Sequence, residues 1–291
     1  MTPNTLAALF MMGSMAAFTL NDTCVKVVGS DLPLFQIVTL RGAVASVLIY
    51  IAARHLRLLR LDLPRRDWVL IAVRSAGEAS ATYFFLTALM HMPLANVTAV
   101  IQALPLTVTL GAALFLGEPV GWRRMTAIGI GLAGVLLIVR PGPDGFSLHA
   151  IYALAAVFCV TLRDLVTRRM SGAVPSMTVT LAASLSVTLF GAVASVGTAW
   201  VPLDLRTGGL VFGAAFFIIG GYLFSILVMR VGEVSASAPF RYTGLLWALA
   251  LGWLVFGHWP EPLTLLGAGI VVGSGLFTLY RERAVPNTRR T

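Results

Sequence analysis

Long apolar runs alternate with short polar breaks along the whole chain. About 20 apolar residues of helix cross a bilayer core of about 30 Å. By that measure we predict ten membrane spans, at about residues 5–25, 33–53, 67–91, 93–116, 121–139, 149–167, 174–200, 207–229, 233–257 and 261–280. Turn signals separate several of them, including SDLP at 30–33, PGPDG at 141–145 and HWPEP at 258–262. A membrane β-barrel would show short alternating segments instead, so these continuous runs exclude it.

Composition agrees with an all-α integral membrane protein. Apolar residues make up 58% of the 291 residues, charged residues only 11%, and the mean hydropathy is +0.88. A soluble domain carries roughly 25% charged residues, so this chain could not cover a water-exposed surface. The first apolar run has no Lys or Arg before it, which is unlike a signal peptide. We therefore interpret it as a retained first helix.

The distribution of basic residues predicts the orientation in the membrane. The net charge is +9, but the 21 basic residues lie mainly in the breaks between spans, so a nucleic-acid partner is not indicated. With a cytoplasmic N-terminus, the outer loops hold only Lys26, Arg140 and Arg206. The inner loops and tail then hold fourteen, at positions 54, 57, 60, 65, 66, 123, 124, 168, 169, 230, 281, 283, 289 and 290. This positive-inside bias places both termini in the cytoplasm.

The two halves of the chain resemble each other. TLNDTCVK at 19–26 matches TLRDLVTR at 161–168, ATYFFLTALM at 81–90 matches GGYLFSILVM at 220–229, and GIGLAG at 129–134 matches GAGIVVG at 267–273. A unit of about 140 residues thus occurs twice, as repeats 1–140 and 141–291 of one membrane domain. Because each unit holds five spans, an odd number, the second enters the membrane from the opposite side. We predict two inverted-topology five-helix repeats, an arrangement typical of secondary transporters.

GIGLAG also matches the G-x-G-x-x-G turn of dinucleotide-binding enzymes, but it lacks their context. That motif follows a strand and precedes an acidic residue by about 20 positions, whereas here it lies within an apolar run and position 154 is Leu. Its glycines are those of closely packed membrane helices. Cys24 and Cys159 have no ligand-like neighbours, and a P-loop is absent, so we predict no cofactor, metal or ATP drive.

The segment LFLGEPVGWRRMTAIGIGLAGVLLI at 114–138, with the ten spans and the repeat, resembles the drug/metabolite transporter superfamily, EamA type. Among its branches the chain looks most like the bacterial exporters of aromatic and other neutral amino acids. The resemblance implies an inner-membrane carrier whose central cavity is lined by spans one, three, four, six, eight and nine and works by alternating access. One departure is His258, which stands where the first half has Glu118.

Ionisable residues inside spans are costly and are therefore candidates for function. Arg74 and Glu78 are spaced to pair on one face of span three, and Glu78 is either a site residue or half of a structural ion pair. Asp22 and Asp164 occupy equivalent positions, each four residues before a basic residue. They are candidates for coupling or for ion pairs at helix ends. Arg163 is a candidate ligand for a substrate carboxylate, and Arg41 is expected to pair with an acid on a neighbouring helix.

Spans four and nine carry matching polar or small faces. In span four these positions are Thr98, Gln102, Pro105 and Thr109; their equivalents in span nine are Ser237, Arg241, Gly244 and Ala248. A polar stripe in an apolar helix faces protein or a water-filled cavity rather than lipid. We expect the two stripes to face each other across a central cavity, although hydrogen bonding between helices would also explain them.

Aromatic residues inside spans are the last candidates. Tyr83, Tyr222, Tyr242 and Trp247 lie away from the predicted interfaces and could wall a substrate side chain or simply pack in the core. The chain as a whole is predicted to be a monomeric secondary transporter that exports small metabolites, most of all amino acids, and not an enzyme. The first alternative is a carrier for sugar phosphates, nucleotide sugars or drugs. An integral-membrane enzyme and a scaffold protein are the remaining, less favoured alternatives.

Overall fold

The computed structural model describes residues 2–55, 59–140, 147–231 and 234–284. The predicted turn at 141–145 and Arg57, Arg289 and Arg290 lie outside the described residues, as does the side chain of Arg283. The described parts are helical: α1 (Pro3–Val28), α2 (Leu34–His55), α3 (Arg65–His91), α4 (Leu94–Ile101), α5 (Leu104–Leu116), α6 (Trp122–Val139), α7 (Leu148–Arg168), α8 (Ser176–Ala194), α9 (Leu205–Val231), α10 (Val234–Ser237), α11 (Thr243–Phe256) and α12 (Pro262–Ala284).

The prediction of an all-α fold with ten spans is confirmed. Counting α4 with α5 as one, nine helical segments among the described residues are long and apolar enough to cross a membrane. The tenth span is α3, which has the length but carries charged residues at both its start and its middle. The seventh predicted span is too long, because α8 ends at Ala194 and the chain turns at Gly197 with a φ of 82°.

Two spans are broken near their middle, which the hydrophobic pattern does not reveal. Span four divides into α4 and α5 around Gln102 and Ala103. Span nine divides into α10, a 3-10 turn at Ala238–Tyr242, and α11. Proline occupies the first turn after each break, as Pro105 and Pro239, because a proline there gives up no helical hydrogen bond. The breaks occur at equivalent places in the two halves.

Local chemistry explains where several helices begin and end. Thr2 and Ser147 cap the first turns of α1 and α7 through their hydroxyl oxygens. Before α9, the Asp204 carboxylate accepts hydrogen bonds from the backbone and hydroxyl of Thr207, at 2.7 and 2.6 Å, which lowers the pKa of this carboxyl group. Both α5 and α11 end at a left-handed glycine, Gly117 and Gly257, with φ of 68° and 66°.

Helices pair between the two halves of the chain. The four most extensive contacts are α1 with α9, α3 with α7, α6 with α12 and α2 with α8, and the two broken spans also touch, through α4 and α11. When first-half spans are exchanged for their second-half equivalents, this set of pairs is unchanged. The first two pairs exchange with each other, while the others map onto themselves. Such a pattern is what two repeats related by a pseudo-two-fold axis require. The placement of the repeat boundary at residue 140 stays a prediction.

The glycine motif packs helices, as the sequence indicated. A methyl group placed on Gly134 would lie 2.9 Å from the carbonyl oxygen of Gly267, and one placed on Gly267 would lie 2.6 Å from that of Gly134. The backbones of α6 and α12 therefore touch at these two residues. By contrast, Gly129 in the same motif has no atom within 4 Å of an added methyl group. The close approach is thus confined to one face of α6.

We predict opposite effects for alanine at two glycines of this motif. Gly134→Ala should lower the melting temperature of the detergent-purified protein, because its methyl group forces the α6 and α12 backbones apart. Gly129→Ala meets no atom and should leave that temperature unchanged or raise it, since alanine favours helix over glycine by about 1 kcal/mol. Equal melting temperatures for the two variants would contradict the packing described here.

Candidate functional site: a charged central cavity

A cavity of about 320 Å³ lies among helices from both halves of the chain. It is walled by α1, α2, α3, the break between α4 and α5, α7, α9 and the turn before α11. Its lining residues are Met15, Phe18, Thr19, Asn21, Asp22, Arg41, Glu78, Ala81, Thr82, Phe85, Leu86, Thr98, Ile101, Gln102, Leu104, Pro105, Val160, Arg163, Ile218, Tyr222 and Arg241. Five of the predicted substrate-binding residues are among these, namely Gln102, Arg241, Glu78, Arg163 and Thr98, and so is the coupling candidate Asp22.

Helix periodicity explains which residues of α1 reach the cavity. Met15, Phe18, Thr19 and Asp22 are spaced by three or four residues and share one face of the helix. In the same way α3 presents Glu78, and then Thr82 and Phe85 on the following turns. Of these two faces, only the charged residues Asp22 and Glu78 stand out in an apolar sequence. A search for the full i, i+3, i+4, i+7 pattern around Asp22 and Glu78 would have found Phe18 and Phe85.

The strongest polar contact in the cavity wall joins α3 to α7. Glu78 Oε2 accepts a hydrogen bond from Arg163 Nη1 at 2.9 Å, and the Glu78 and Arg163 side chains are only 15% and 22% exposed. Arg74, one turn before Glu78, lies at a longer 3.6 Å from the same oxygen. Asp164 holds the other side of the Arg163 guanidinium at 2.8 Å. The Arg163 guanidinium is thus shared between two carboxylates, of Glu78 on α3 and of Asp164 next to it on α7.

Of the two alternatives for Asp22 and Asp164, the ion pair with the basic residue four positions later does not form in either repeat. Lys26 donates instead to the backbone carbonyls of Leu89 and Met92, at 2.5 and 2.8 Å, because these carbonyls at the end of α3 have no helical donor. In the second half, Arg168 pairs with Glu118 at 2.8 Å. The spacing rule failed because each long basic side chain reaches a partner outside its own helix, at the end of α3 for Lys26 and in the loop after α5 for Arg168.

In the cavity wall, the Arg41 guanidinium is bonded to a side-chain amide rather than to a carboxylate. Its Nη1 donates to Asn21 Oδ1 at 3.1 Å, and Asn21 Nδ2 donates to Asp22 Oδ1 at 2.8 Å. The expectation that Arg41 pairs with an acid is therefore corrected, since Asn21 bridges the two charges. This chain orients the Asp22 carboxylate while leaving its second oxygen without a hydrogen bond among the described residues. Asp22 is consequently the less engaged of the two carboxylates that line the cavity.

The equivalent residues Gln102 and Arg241 meet at the pseudo-two-fold axis. Gln102 Nε2 donates to the backbone carbonyl of Arg241 at 3.2 Å, so the two broken spans touch here. The Arg241 side chain is exposed and makes no hydrogen bond or ion pair with the described residues. Thr109, which the stripe pattern placed on the same face, bonds back to the Pro105 carbonyl and does not line the cavity.

Three predicted aromatic residues lie outside the cavity lining. Tyr83 belongs to an aromatic cluster with Phe35, Phe84, Tyr152 and Phe190 between α2, α3, α7 and α8. Tyr242 is buried against Gly275 of α12. Trp247 is 40% exposed on α11. The aromatic residues that do line the cavity are Phe18, Phe85 and Tyr222. Tyr222 packs edge-on against Phe18, with ring centroids 5.4 Å apart.

A smaller cavity of about 70 Å³ adjoins the central one between α2, α3, α8 and α9. It shares Arg41, Glu78 and Tyr222 with the central cavity and adds Arg74. Asp164 lines neither cavity and acts only through Arg163. Together these placements put the ionisable residues of the spans into one connected polar region.

The charges that line the central cavity leave a small positive excess. Three guanidinium groups, of Arg41, Arg163 and Arg241, face two carboxylates, of Asp22 and Glu78. Groups of both signs in one partly apolar cavity suit a zwitterion with an apolar side chain. No cluster of three or more metal-ligating side chains occurs in the parts of the chain that the structure describes. The arrangement can bind and orient a small molecule through charge.

Comparisons with known proteins indicate a membrane transporter. Residues 5–140 match the model of the EamA-like transporter family. The pseudopaline exporter CntI of Pseudomonas aeruginosa is 26% identical over 276 residues, which cover 90% of this chain and 92% of that protein. The S-adenosylmethionine uptake transporter of Rickettsia bellii is 24% identical, covering 93% and 92%. The riboflavin transporter of Vibrio cholerae is 26% identical, covering 94% and 93%. A crystal structure that is 19% identical and covers 96% of this chain has a TM-score of 0.66, so it shares the fold.

We predict that Glu78 and Arg163 are energetically coupled. Glu78→Gln and Arg163→Gln should each lower the free energy of unfolding, because each leaves the other charge poorly paired in the bundle. The double variant should lose less than the sum, with a coupling energy of about 1 kcal/mol or more. Unfolding by SDS in mixed micelles measures these values. The same double-variant cycle with Glu78 and Arg74, whose contact is longer, should give a smaller coupling energy. Equal coupling energies in the two cycles would contradict the assignment of Arg163 as the main partner of Glu78.

Proposed function

Because the chain is a multi-pass membrane protein with an EamA-like transporter domain, and is a small-molecule transporter, we propose that it exports α-amino acids, chiefly aromatic and other neutral ones. The resemblance predicted from the sequence is confirmed at the level of this family. The amino-acid substrate and the outward direction are the proposal. They are supported by the chemistry of the central cavity. We place the functional unit in a single chain, because one chain encloses the whole cavity.

The observation that carries this proposal is the free guanidinium of Arg241. In a wall where Arg163 is held by two carboxylates and Arg41 by an amide, Arg241 alone of the three lining arginines has no bonded side-chain partner among the described residues. A guanidinium presents paired donors that match the geometry of a carboxylate. We therefore assign the substrate carboxylate to Arg241, with Gln102 beside it.

The substrate ammonium group fits the opposite sign of charge in the same cavity. Asp22 has one carboxylate oxygen held by Asn21, and the other accepts no hydrogen bond from the described residues, whereas Glu78 is already engaged by Arg163. Asp22 is therefore the better partner for a positively charged amino group. In this assignment Glu78 and Arg163 support the wall, and Arg163 becomes a second carboxylate ligand only when Glu78 releases it.

The substrate side chain fits the apolar part of the lining. Phe18, Phe85 and Tyr222 present ring faces and edges to the cavity, and Leu86, Ile101 and Ile218 lie among them. Aromatic walls stabilise a ring or a branched aliphatic chain through stacking and burial. This places a neutral or aromatic side chain between α1, α3 and α9. A cavity of about 320 Å³ also limits the size of the molecule.

Other substrate classes are less well matched. A sugar phosphate or nucleotide sugar brings two or more negative charges, and the cavity offers one guanidinium without a bonded side-chain partner among the described residues. The relatives named above are described as transporters of chemically different molecules and include both an exporter and an uptake transporter. They support small-molecule transport in general. The preference for an amino acid therefore rests on the paired charges at Asp22 and Arg241.

The proposed mechanism is alternating access around this cavity. The pairs α1–α9 and α3–α7 each combine one helix from each half, so one pair can rock against the other while the site stays between them. The breaks at Gln102 and at Ala238–Tyr242 provide bending points beside the site. A pH gradient acting on the flux would assign a coupling role to a carboxylate in this region, namely Asp22, Glu78 or Asp164.

The test is uptake of labelled amino acids by liposomes that contain the purified protein, with protein-free liposomes as the control and a pH gradient as the second variable. We expect saturable flux of phenylalanine and leucine that each competes with the other. No saturable flux of any neutral amino acid, by protein shown to be folded, would exclude the proposed substrate class.

Two variants should separate the roles of the two charges. Arg241→Gln should raise KM about tenfold or more for an amino acid, because a hydrogen bond between charged partners is lost, while changing KM little for the corresponding amino-acid amide. Asp22→Asn should weaken both substrates, since both carry the ammonium group. Arg230→Gln, which removes an exposed arginine outside the cavity, is the matched control. Equal losses for acid and amide in Arg241→Gln would contradict the assignment.

A further inference from the structure

Lys26 of α1 forms hydrogen bonds with the end of α3, at the side of the membrane that is predicted to be outside. Its ammonium group donates to the carbonyls of Leu89 and Met92, at 2.5 and 2.8 Å, where α3 ends and the chain turns into α4. The same ammonium group lies 5.6 Å from the centre of the Phe256 ring of α11. One cation thus joins both halves of the chain at the end that the positive-inside rule places outside.

The counterpart of this Lys26 contact at the inner side, between Arg168 and the end of α9, is not formed in the described parts of the chain. The repeat alignment makes Arg168 of α7 the counterpart of Lys26, and Val228 and Val231 at the end of α9 the counterparts of Leu89 and Met92. Yet Arg168 pairs with Glu118 at 2.8 Å, with both side chains 45–49% exposed. In the described parts of the chain, no hydrogen bond joins Arg168 to α9. The two equivalent cations are therefore in different states.

Apolar packing shows the same asymmetry. A buried cluster at the outer ends brings together α1, α3, α4, α9 and α11, through residues that include Val25, Leu89, Leu94, Val211 and Ala248. At the inner ends of the described helices, the corresponding buried cluster is small and joins only α1 to α9, through Ala7, Met11 and Val228. Among the described residues, the outer ends are therefore packed together, whereas α7 and α9 share no buried apolar cluster on the cytoplasmic side.

From these observations we propose that Lys26 and Arg168 are the two latches of the transport cycle. Lys26 holds the outer side closed in the conformation described here. In the opposite conformation, Arg168 leaves Glu118 and donates to the carbonyls of Val228 and Val231 at the end of α9, while Lys26 releases Leu89 and Met92. Each cation thus seals one side by capping the end of a helix with unpaired carbonyls.

The departure from symmetry at Glu118 and His258 decides which conformation is favoured at rest. When Arg168 is unlatched, Glu118 supplies a carboxylate that holds it. The counterpart of Glu118 in the second half is His258, next to the end of α11 where Lys26 lies, so the position equivalent to the one that holds Arg168 offers Lys26 no carboxylate. Both differences stabilise the conformation that is closed toward the outside.

The test follows access to the cavity and needs no substrate. A reporter cysteine replaces Thr82, which lines both cavities, after Cys24 and Cys159 are changed to alanine. A membrane-impermeant maleimide is then applied to spheroplasts and, separately, to inverted membrane vesicles. The parent protein should label faster in inverted vesicles. Faster labelling in spheroplasts would contradict the assignment of this conformation.

Lys26→Met removes the ammonium group but keeps a long apolar side chain against Phe256. We expect it to raise the labelling rate from outside about tenfold, because two hydrogen bonds from a charged donor are lost. Adding Arg168→Gln should return the rate toward that of the parent, since the latch of the other conformation is also lost. An unchanged rate in Lys26→Met, or no return in the double variant, would overturn the proposal.

Two further variants complete the design. Glu118→Gln should raise labelling from outside by up to about fivefold, the scale of an exposed ion pair. Arg206→Gln, which breaks another outer ion pair, with Asp31 at 3.5 Å, is the matched control and should not change it. The latches rest on the proposed function only in requiring two-sided access. If amino-acid flux fails while Lys26→Met changes labelling, the substrate is wrong and the latches stand; the reverse result removes the latches alone.

Discussion

The contact between Glu78 and Arg163 is the interaction on which the cavity depends. It joins α3 to α7, one helix from each half of the chain, and it places a carboxylate and a guanidinium at the depth of the cavity. Inside a membrane such charges persist only when they are paired or face water. The pair therefore explains why α3 can cross the membrane with two ionisable residues in its middle. It also leaves Asp22 and Arg241 as the charges available to a ligand.

The pairing of helices between halves gives this interaction its mechanical setting. Because α1 packs on α9 and α3 packs on α7, each pair can move as a unit while the cavity between them opens to one side or the other. The contact of Gly134 with Gly267 holds α6 and α12 together away from the cavity. Packing at small residues is strong where backbones touch, which lets this region serve as a fixed frame.

Much of this fold could be predicted from the sequence, because membrane spans and internal repeats each extend over many residues and leave a clear hydrophobic pattern. The span count and glycine packing follow directly from apolar runs and small residues. Contacts of long side chains could not be predicted in this way. Lys26, Arg168 and Arg41 reach partners outside their own helices, so spacing along one helix does not identify them. The breaks in spans four and nine were also missed, since Pro105 and Pro239 sit in otherwise apolar runs.

Departures from the internal symmetry carry the specific chemistry of this chain. Two identical repeats would place the same residue on both sides of the pseudo-two-fold axis. The cavity would then present each charged side chain twice and would suit ligands with two equivalent charges. Here Gln102 faces Arg241 across the axis, so among the three arginines that line the cavity only Arg241 has no bonded side-chain partner in the described residues. One such guanidinium suits one carboxylate rather than two. The exchange of Glu118 for His258 likewise makes the two conformations unequal. In the proposed mechanism, symmetry thus supplies the alternating motion, and its local violations supply the preferred substrate charge and the resting state.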